Sequence, residues 1–119
     1  MAIAITTPTP GKFGWIINAT SVDVSGCEEL KAAPGVGKQI IVDHITINNG
    51  AAGTQNITIG QGVAAGAVET ALIGPIAMAV NDSIQWNFPN GMWLAANKSL
   101  TVDSDDTHNL MIFAYGRIQ

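Results

Sequence analysis

Apolar and polar residues alternate along much of this chain, which is the pattern of β-strands with one buried face. The clearest run is Ser83 to Phe88, in which every second residue is large and apolar: Ile84, Trp86 and Phe88. A period of two places these three on one face of a strand. We expect Pro89-Asn90-Gly91 to end the strand, because proline has no amide to donate and Asn-Gly favours a turn.

Three more runs have related patterns. Asn56 to Ile59 and Ser99 to Asp103 alternate in the same way and predict half-buried antiparallel strands. Lys38 to Asn48 is apolar on both faces in its first half only. A strict alternation there would place the carboxylate of Asp43 on the core face, so we predict a long strand with a β-bulge near Asp43.

The last run, Asn109 to Ile118, is apolar on both faces. One face carries Leu110, Ile112, Ala114 and Ile118, and the other carries Met111, Phe113 and Tyr115. A strand that is apolar on both sides needs a second partner, either another sheet or another subunit.

Phe13 to Ile17 and Ser21 to Val24 are also strand candidates, and with the less regular runs Thr70 to Ala77 and Met92 to Ala95 the number is about eight. The only plausible short helix is Cys27 to Ala33, ended by Pro34-Gly35, while Ala64 to Leu72 is ambiguous. Short strands separated by turns predict an all-β antiparallel sandwich or a small barrel, in one domain over residues 12–119. Residues 1–11 contain Pro8, Pro10 and Gly11 and favour an extended N-terminal arm.

The charge content is low and changes the functional picture. Charged residues make up 12% of the chain and apolar ones 47%, with a net charge of −4. Such a surface is typical of a protein that is partly covered by partners. The five Lys and Arg residues are scattered singly, so nucleic-acid binding is not expected. No secretion signal and no apolar segment of about 20 residues is present, so we expect no membrane partner.

Candidate chemistry is sparse. Gly60-Gln61-Gly62 is followed by Gly66, one residue too far for a dinucleotide-binding turn, and we expect a glycine-rich loop between strands. His44 beside Asp43, or His108 near Asp103, Asp105 and Asp106, could form a carboxylate–histidine metal site. A strand-edge histidine and a solvated acidic turn explain the same residues more simply. We therefore expect no enzyme, no cofactor and no bound metal.

The aromatic residues offer one ligand hypothesis. Trp15, Trp86, Trp93 and Tyr115 could provide a platform on which a sugar stacks. Trp86 belongs to an alternating core face and is better explained by packing. Trp15 and Trp93 are the better candidates for exposure.

A resemblance to known proteins rests on three segments of the second half. These are Ile73-Gly74-Pro75-Ile76, Ser83 to Pro89, and Trp93 to Val102. Together with the apolar last strand they resemble the head decoration, or cement, proteins of tailed bacteriophages, over about residues 38 to 119. Asn97 stands where such proteins often have a turn glycine, which asparagine can replace in the left-handed region.

The resemblance implies a jelly-roll-like sandwich that clusters in threes on a capsid. It implies a structural virion protein, made in the host cytoplasm and bound to the outside of the shell, with itself as homotrimer and the major capsid protein as partners. The candidate interface residues are Ile3, Ile5, Pro8, Pro10, Trp15, Trp93, Met111, Phe113 and Tyr115. The alternative is a glycan- or receptor-binding module of a phage tail fibre or baseplate, using Trp15 or Trp93.

Overall fold

The computed structural model describes residues 4–6, 14–21, 27–50, 53–62, 70–104 and 110–119, and these contain strands and turns but no helix. The all-β prediction is confirmed, with nine strands where about eight were expected. The strands are β1 (Ala4–Thr6), β2 (Gly14–Ser21), β3 (Glu28–Lys31), β4 (Ile40–Asn49), β5 (Gln55–Gly62), β6 (Thr70–Met78), β7 (Ser83–Trp93), β8 (Ser99–Ser104) and β9 (Leu110–Ile118).

The strands form two antiparallel sheets. One has the order β1-β2-β9-β4-β7 and the other the order β3-β8-β5-β6. The pairs β2–β9, β3–β8, β4–β7 and β5–β6 are all hydrogen-bonded, so eight strands behave as one long hairpin folded over itself. This is the jelly-roll arrangement of a β-sandwich. The short β1 adds to the free edge of β2.

One hydrophobic core lies between the two sheets. Its fully buried residues come from both: Ile45, Ile47 and Ile112 from the five-stranded sheet face Ile59 and Leu100 from the four-stranded sheet. Ile84, Trp86 and Phe88 pack against this core, as their spacing predicts. Ile118 lies at the end of β9 and is 38% exposed, whereas Leu110 and Ile112 earlier in the strand are buried.

The predicted bulge near Asp43 is confirmed. The pairing of β4 with both neighbours shifts between Val42 and His44. Before the shift Ile40 and Val42 belong to the core, and after it Ile45 and Ile47 do. The bulge therefore reverses which positions face inward, and it removes Asp43 from the core series to a site where Arg117 contacts it.

Pro89-Asn90-Gly91 does not end its strand, contrary to the prediction. His44 pairs with Asn87 and Val42 pairs with Met92, so residues 88–91 of β7 bulge opposite the bulge of β4. β7 is an edge strand, where a proline costs no hydrogen bond to a neighbour. Gly91 has a φ of 79°, which glycine adopts without strain.

The predicted helix from Cys27 to Ala33 is also wrong. Glu28–Lys31 is a strand that pairs with β8, and Leu30 enters the core. Gly60 and Gly62 lie within β5 rather than in a loop. Of the ambiguous segment Ala64 to Leu72, residues 64–69 lie outside the described residues and the rest belongs to β6.

A buried polar network closes one end of the sandwich, where β4 ends. The Asn49 side-chain nitrogen lies 3.1, 2.8 and 3.0 Å from the carbonyl oxygens of Gly53, Met78 and Ala79, which share its two N–H donors. Asn49 Oδ1 accepts a hydrogen bond of 2.7 Å from Gln55, which also accepts one from the Ser104 hydroxyl. Asn49 and Gln55 are both fully buried, so these bonds replace those that water would make.

Gly116 occupies a position with no room for a side chain. A Cβ there would lie 1.9 Å from the carbonyl oxygen of Ile41 and 3.0 Å from the Trp15 ring. We expect Gly116→Ala to lower the free energy of unfolding by about 3 kcal/mol or more, because backbone and ring must both move. Gly53→Ala is the control, since nothing lies within 4 Å of its Cβ position. Equal thermal unfolding temperatures for the two variants would contradict this packing.

β8 is buried on both faces, not on one as the alternation suggested. Leu100 and Val102 enter the core, while Ser99 and Thr101 on the opposite side are 1% and 0% exposed. The Ser99 hydroxyl donates to the Gly62 carbonyl oxygen at 2.9 Å. The Thr101 hydroxyl has no hydrogen-bond partner among the described residues.

Removing each of these two hydroxyls should change the stability of the protein differently. We expect Ser99→Ala to destabilise the protein by about 1 kcal/mol, because a bonded pair is lost in the interior. Thr101→Val should be neutral or stabilise by up to about 1 kcal/mol, because it removes a buried hydroxyl without a partner. Chemical denaturation of both variants measures the difference, and a larger loss for Thr101→Val than for Ser99→Ala would refute the assignment.

Candidate interaction surface

The outward side of the five-stranded sheet carries a row of exposed apolar residues. β9 lies in the interior of this sheet, between β2 and β4. Because its side chains alternate, Met111, Phe113 and Tyr115 point away from the core and are 49%, 38% and 40% exposed. We call these three residues the apolar stripe. No described residue of the chain covers it, so the described residues supply no second sheet of the kind expected from the apolar pattern of β9.

Uncharged polar residues flank the apolar stripe on both sides. The strand register places Asn18 and Thr46 beside Phe113, and Thr20 and Asn48 beside Met111. Further out on β7 the exposed residues are Ser83, Gln85 and Asn87. We call the apolar stripe, His44, these flanking residues and the Arg117–Asp43 pair the outer face. Among the described residues its only formal charges lie at one end, where Arg117 and Asp43 pair.

His44 and the stripe form a cluster of three rings. The imidazole of His44 stacks on Tyr115 with ring centroids 5.2 Å apart and an interplanar angle of 12°. Phe113 meets His44 and Tyr115 edge-on, at centroid distances of 6.1 and 6.0 Å. Stacked and edge-on contacts of this kind are favourable, so the three rings form one packed group on the outer face.

Both ring nitrogens of His44 have hydrogen-bond partners. Nδ1 lies 2.7 Å from Asn87 Oδ1, and Nε2 lies 2.5 Å from the Thr46 hydroxyl oxygen. With Nδ1 protonated, Nδ1 donates to the amide oxygen while Nε2 accepts from the hydroxyl. We expected His44 at a sheet edge, and this is wrong, because β4 has a neighbour on each side.

The two opposed bulges build the charged end of the outer face. Arg117 donates from Nε and Nη2 to the two carboxylate oxygens of Asp43, each at 3.2 Å. The Cβ position of Gly91 lies 2.3 Å from Ile41 Cγ2 and 3.2 Å from Arg117 Nη2, so only glycine fits between them. Trp93 is 46% exposed beside this site, and its indole donates to the Asn90 carbonyl oxygen at 3.1 Å.

Trp15 was predicted to be exposed, and this is wrong. It is 3% exposed and belongs to the core with Ile17 and Ala19, which share its face of β2. Its indole N–H donates to the Arg117 carbonyl oxygen at 3.1 Å, which satisfies the one polar atom that burial would strand. Trp15 therefore offers no surface to a partner.

The predicted arm is extended where it is described. Ala4–Thr6 pairs with β2 of the same chain, and Ile5 is 41% exposed at that edge. Ile3, Pro8 and Pro10 lie outside the described residues. The described part of the arm thus extends the chain's own sheet.

The described residues do not form the metal site that was considered from the sequence. His44 contacts Asn87 and Thr46, while Asp43 is held by Arg117. Asp105, Asp106 and His108 lie outside the described residues. Within the described part of the chain, no group of three His, Cys, Asp or Glu side chains comes together.

The comparisons with known proteins returned no relative. No family model, no curated protein and no solved structure matches this chain. Among the described residues, no helix has the length and apolar character to cross a membrane.

Proposed function

We propose that this protein is a structural virion subunit that binds the outside of a phage capsid as a decoration protein, and that it assembles into trimers through its outer face. The observation that carries the proposal is the apolar stripe: Met111, Phe113 and Tyr115 stand exposed in the middle of a sheet. Burying such residues against a partner lowers the free energy, because apolar surface is removed from water.

The composition of the outer face supports a second copy as the partner. Interfaces are depleted in charge at their centre and enriched in aromatic residues and methionine, as the apolar stripe and its flanks are. The chain as a whole carries a charge of −4, so two copies repel each other elsewhere on their surfaces. Two outer faces bring together no like charges except at the Asp43–Arg117 end, where each charge is already paired.

The free edges of the sheets favour contact through a face. β1 has three residues and β3 has four, which is little backbone for a neighbouring strand to pair with. The longer edges, β6 and β7, contain Pro75 and Pro89. Short strands and edge prolines disfavour edge-to-edge pairing.

Phe113→Asp tests the role of the stripe. We expect the variant to be monomeric at concentrations where the wild type forms a trimer, because a carboxylate cannot be buried there without a partner. Light scattering after size exclusion, over a tenfold range of concentration, measures the mass. Val80→Asp is the control: Val80 is 44% exposed in the turn between β6 and β7 and does not belong to the apolar stripe.

If Phe113→Asp still forms the trimer, the apolar stripe is not part of the trimer interface. The capsid part of the proposal is tested by cosedimentation of both variants with phage heads that lack a decoration protein. Binding only the assembled lattice would stabilise the shell by mass action, so wild type should raise the temperature at which heads rupture. If the wild-type protein sediments with no phage head, the capsid-binding part of the proposal is wrong, even where the trimer forms.

Glycan binding is the second candidate, and one observation favours it. Trp93 is exposed next to the Arg117–Asp43 pair, so an aromatic surface lies beside groups that can bond to hydroxyls. The decoration proposal expects a glycan array to give no signal. A signal that is lost in Trp93→Ala, and retained when the 91% exposed Val36 is changed to Ala, would favour the glycan-binding function instead.

A further inference from the structure

We infer that self-association through the outer face is controlled by pH through His44, the inference resting on the proposed trimer. Histidine is the side chain whose charge ordinarily changes between pH 5 and 8. His44 is the one histidine on the outer face among the described residues, and it stands beside two of the three stripe residues. Any partner that covers Phe113 and Tyr115 also covers the imidazole.

The free subunit accommodates both charge states of His44. In the neutral state Nδ1–H donates to Asn87 and Nε2 accepts from the Thr46 hydroxyl. On protonation Nε2 becomes a donor, and the hydroxyl can turn to accept from it without movement of heavy atoms. The cation stays partly exposed to water and lies against the ring of Tyr115, which attracts it.

The covered subunit accommodates only the neutral state. The elements packed around His44 present Tyr115 and Phe113 from β9, Asn87 from β7 and Thr46 from its own strand, none of which is a carboxylate. The nearest carboxylate on its own strand, Asp43, is bonded through both oxygens to Arg117. A second copy of the same face supplies no free carboxylate from its described residues either. An imidazolium buried there loses water and gains no counter-charge.

The direction of the effect follows from proton linkage. The free subunit binds a proton at His44 more readily than the covered subunit, so dissociation takes up protons. Lowering the pH through the range in which histidine titrates therefore drives the trimer apart, and raising the pH restores it. The limiting effect is about a tenfold change in the association constant for each histidine and each pH unit.

The test compares three proteins by light scattering at pH 8.0, 7.0, 6.0 and 5.5: wild type, His44→Gln and His108→Gln. Glutamine stays neutral and can both donate to Asn87 and accept from Thr46. His108 is the only other histidine in the chain. We expect wild type and His108→Gln to dissociate as the pH falls, and His44→Gln to remain assembled, with thermal unfolding confirming that each is folded.

The outcomes separate this inference from the proposal beneath it. A wild type that stays assembled from pH 8.0 to 5.5 overturns the pH control and leaves the trimer standing. The same dissociation in His44→Gln as in wild type also overturns it, because the responding group is then elsewhere. A wild type that is monomeric at pH 8.0 overturns the trimer itself, and the inference with it.

Discussion

The arrangement of this molecule depends on the bulge at Asp43, which reverses the alternation of β4 in mid-strand. Ile40 and Val42 face inward before it, and Ile45 and Ile47 face inward after it. Without the extra residue, either Ile45 and Ile47 would point to solvent and His44 into the core, or Ile40 and Val42 would point to solvent and Asp43 into the core. The matching bulge of β7 at residues 88–91 keeps the two strands paired on either side. The bulge at Asp43 thus determines both which residues of β4 enter the core and which lie on the outer face.

Sequence reasoning succeeds where a strand's own residues decide its structure. Asp43 could be assigned to a bulge because no core accepts an unpaired carboxylate. Asn97, which only the resemblance placed at a turn, has a left-handed φ of 53°. Glu28–Lys31 has good helix formers and no β-branched residue, and it is a strand because β8, about seventy residues later in the chain, offers it an edge. Local propensity contains no information about such a partner.

The candidate surface was only half visible in the sequence. The apolar stripe follows from the alternation of β9 alone. The uncharged outer face does not, since it joins residues of four strands whose neighbours depend on the register of the jelly roll. The burial of Trp15 could have been read from its spacing to Ile17 and Ala19, which share its face and lie in the core. The prediction that Trp15 is exposed treated it as a ring for ligand stacking. The alternation of β2 would have placed it correctly in the core.

The position of β9 has a consequence for how the molecule is made. This strand follows the other eight in the chain, yet it lies between β2 and β4 and joins them. The bond from Trp15 to Arg117 spans 102 residues of sequence. A growing chain therefore cannot close its larger sheet while β9 is still unmade, and contacts of such separation make folding slow. The apolar stripe is synthesised after those eight strands, so a chain that has made only them does not yet carry the proposed contact surface.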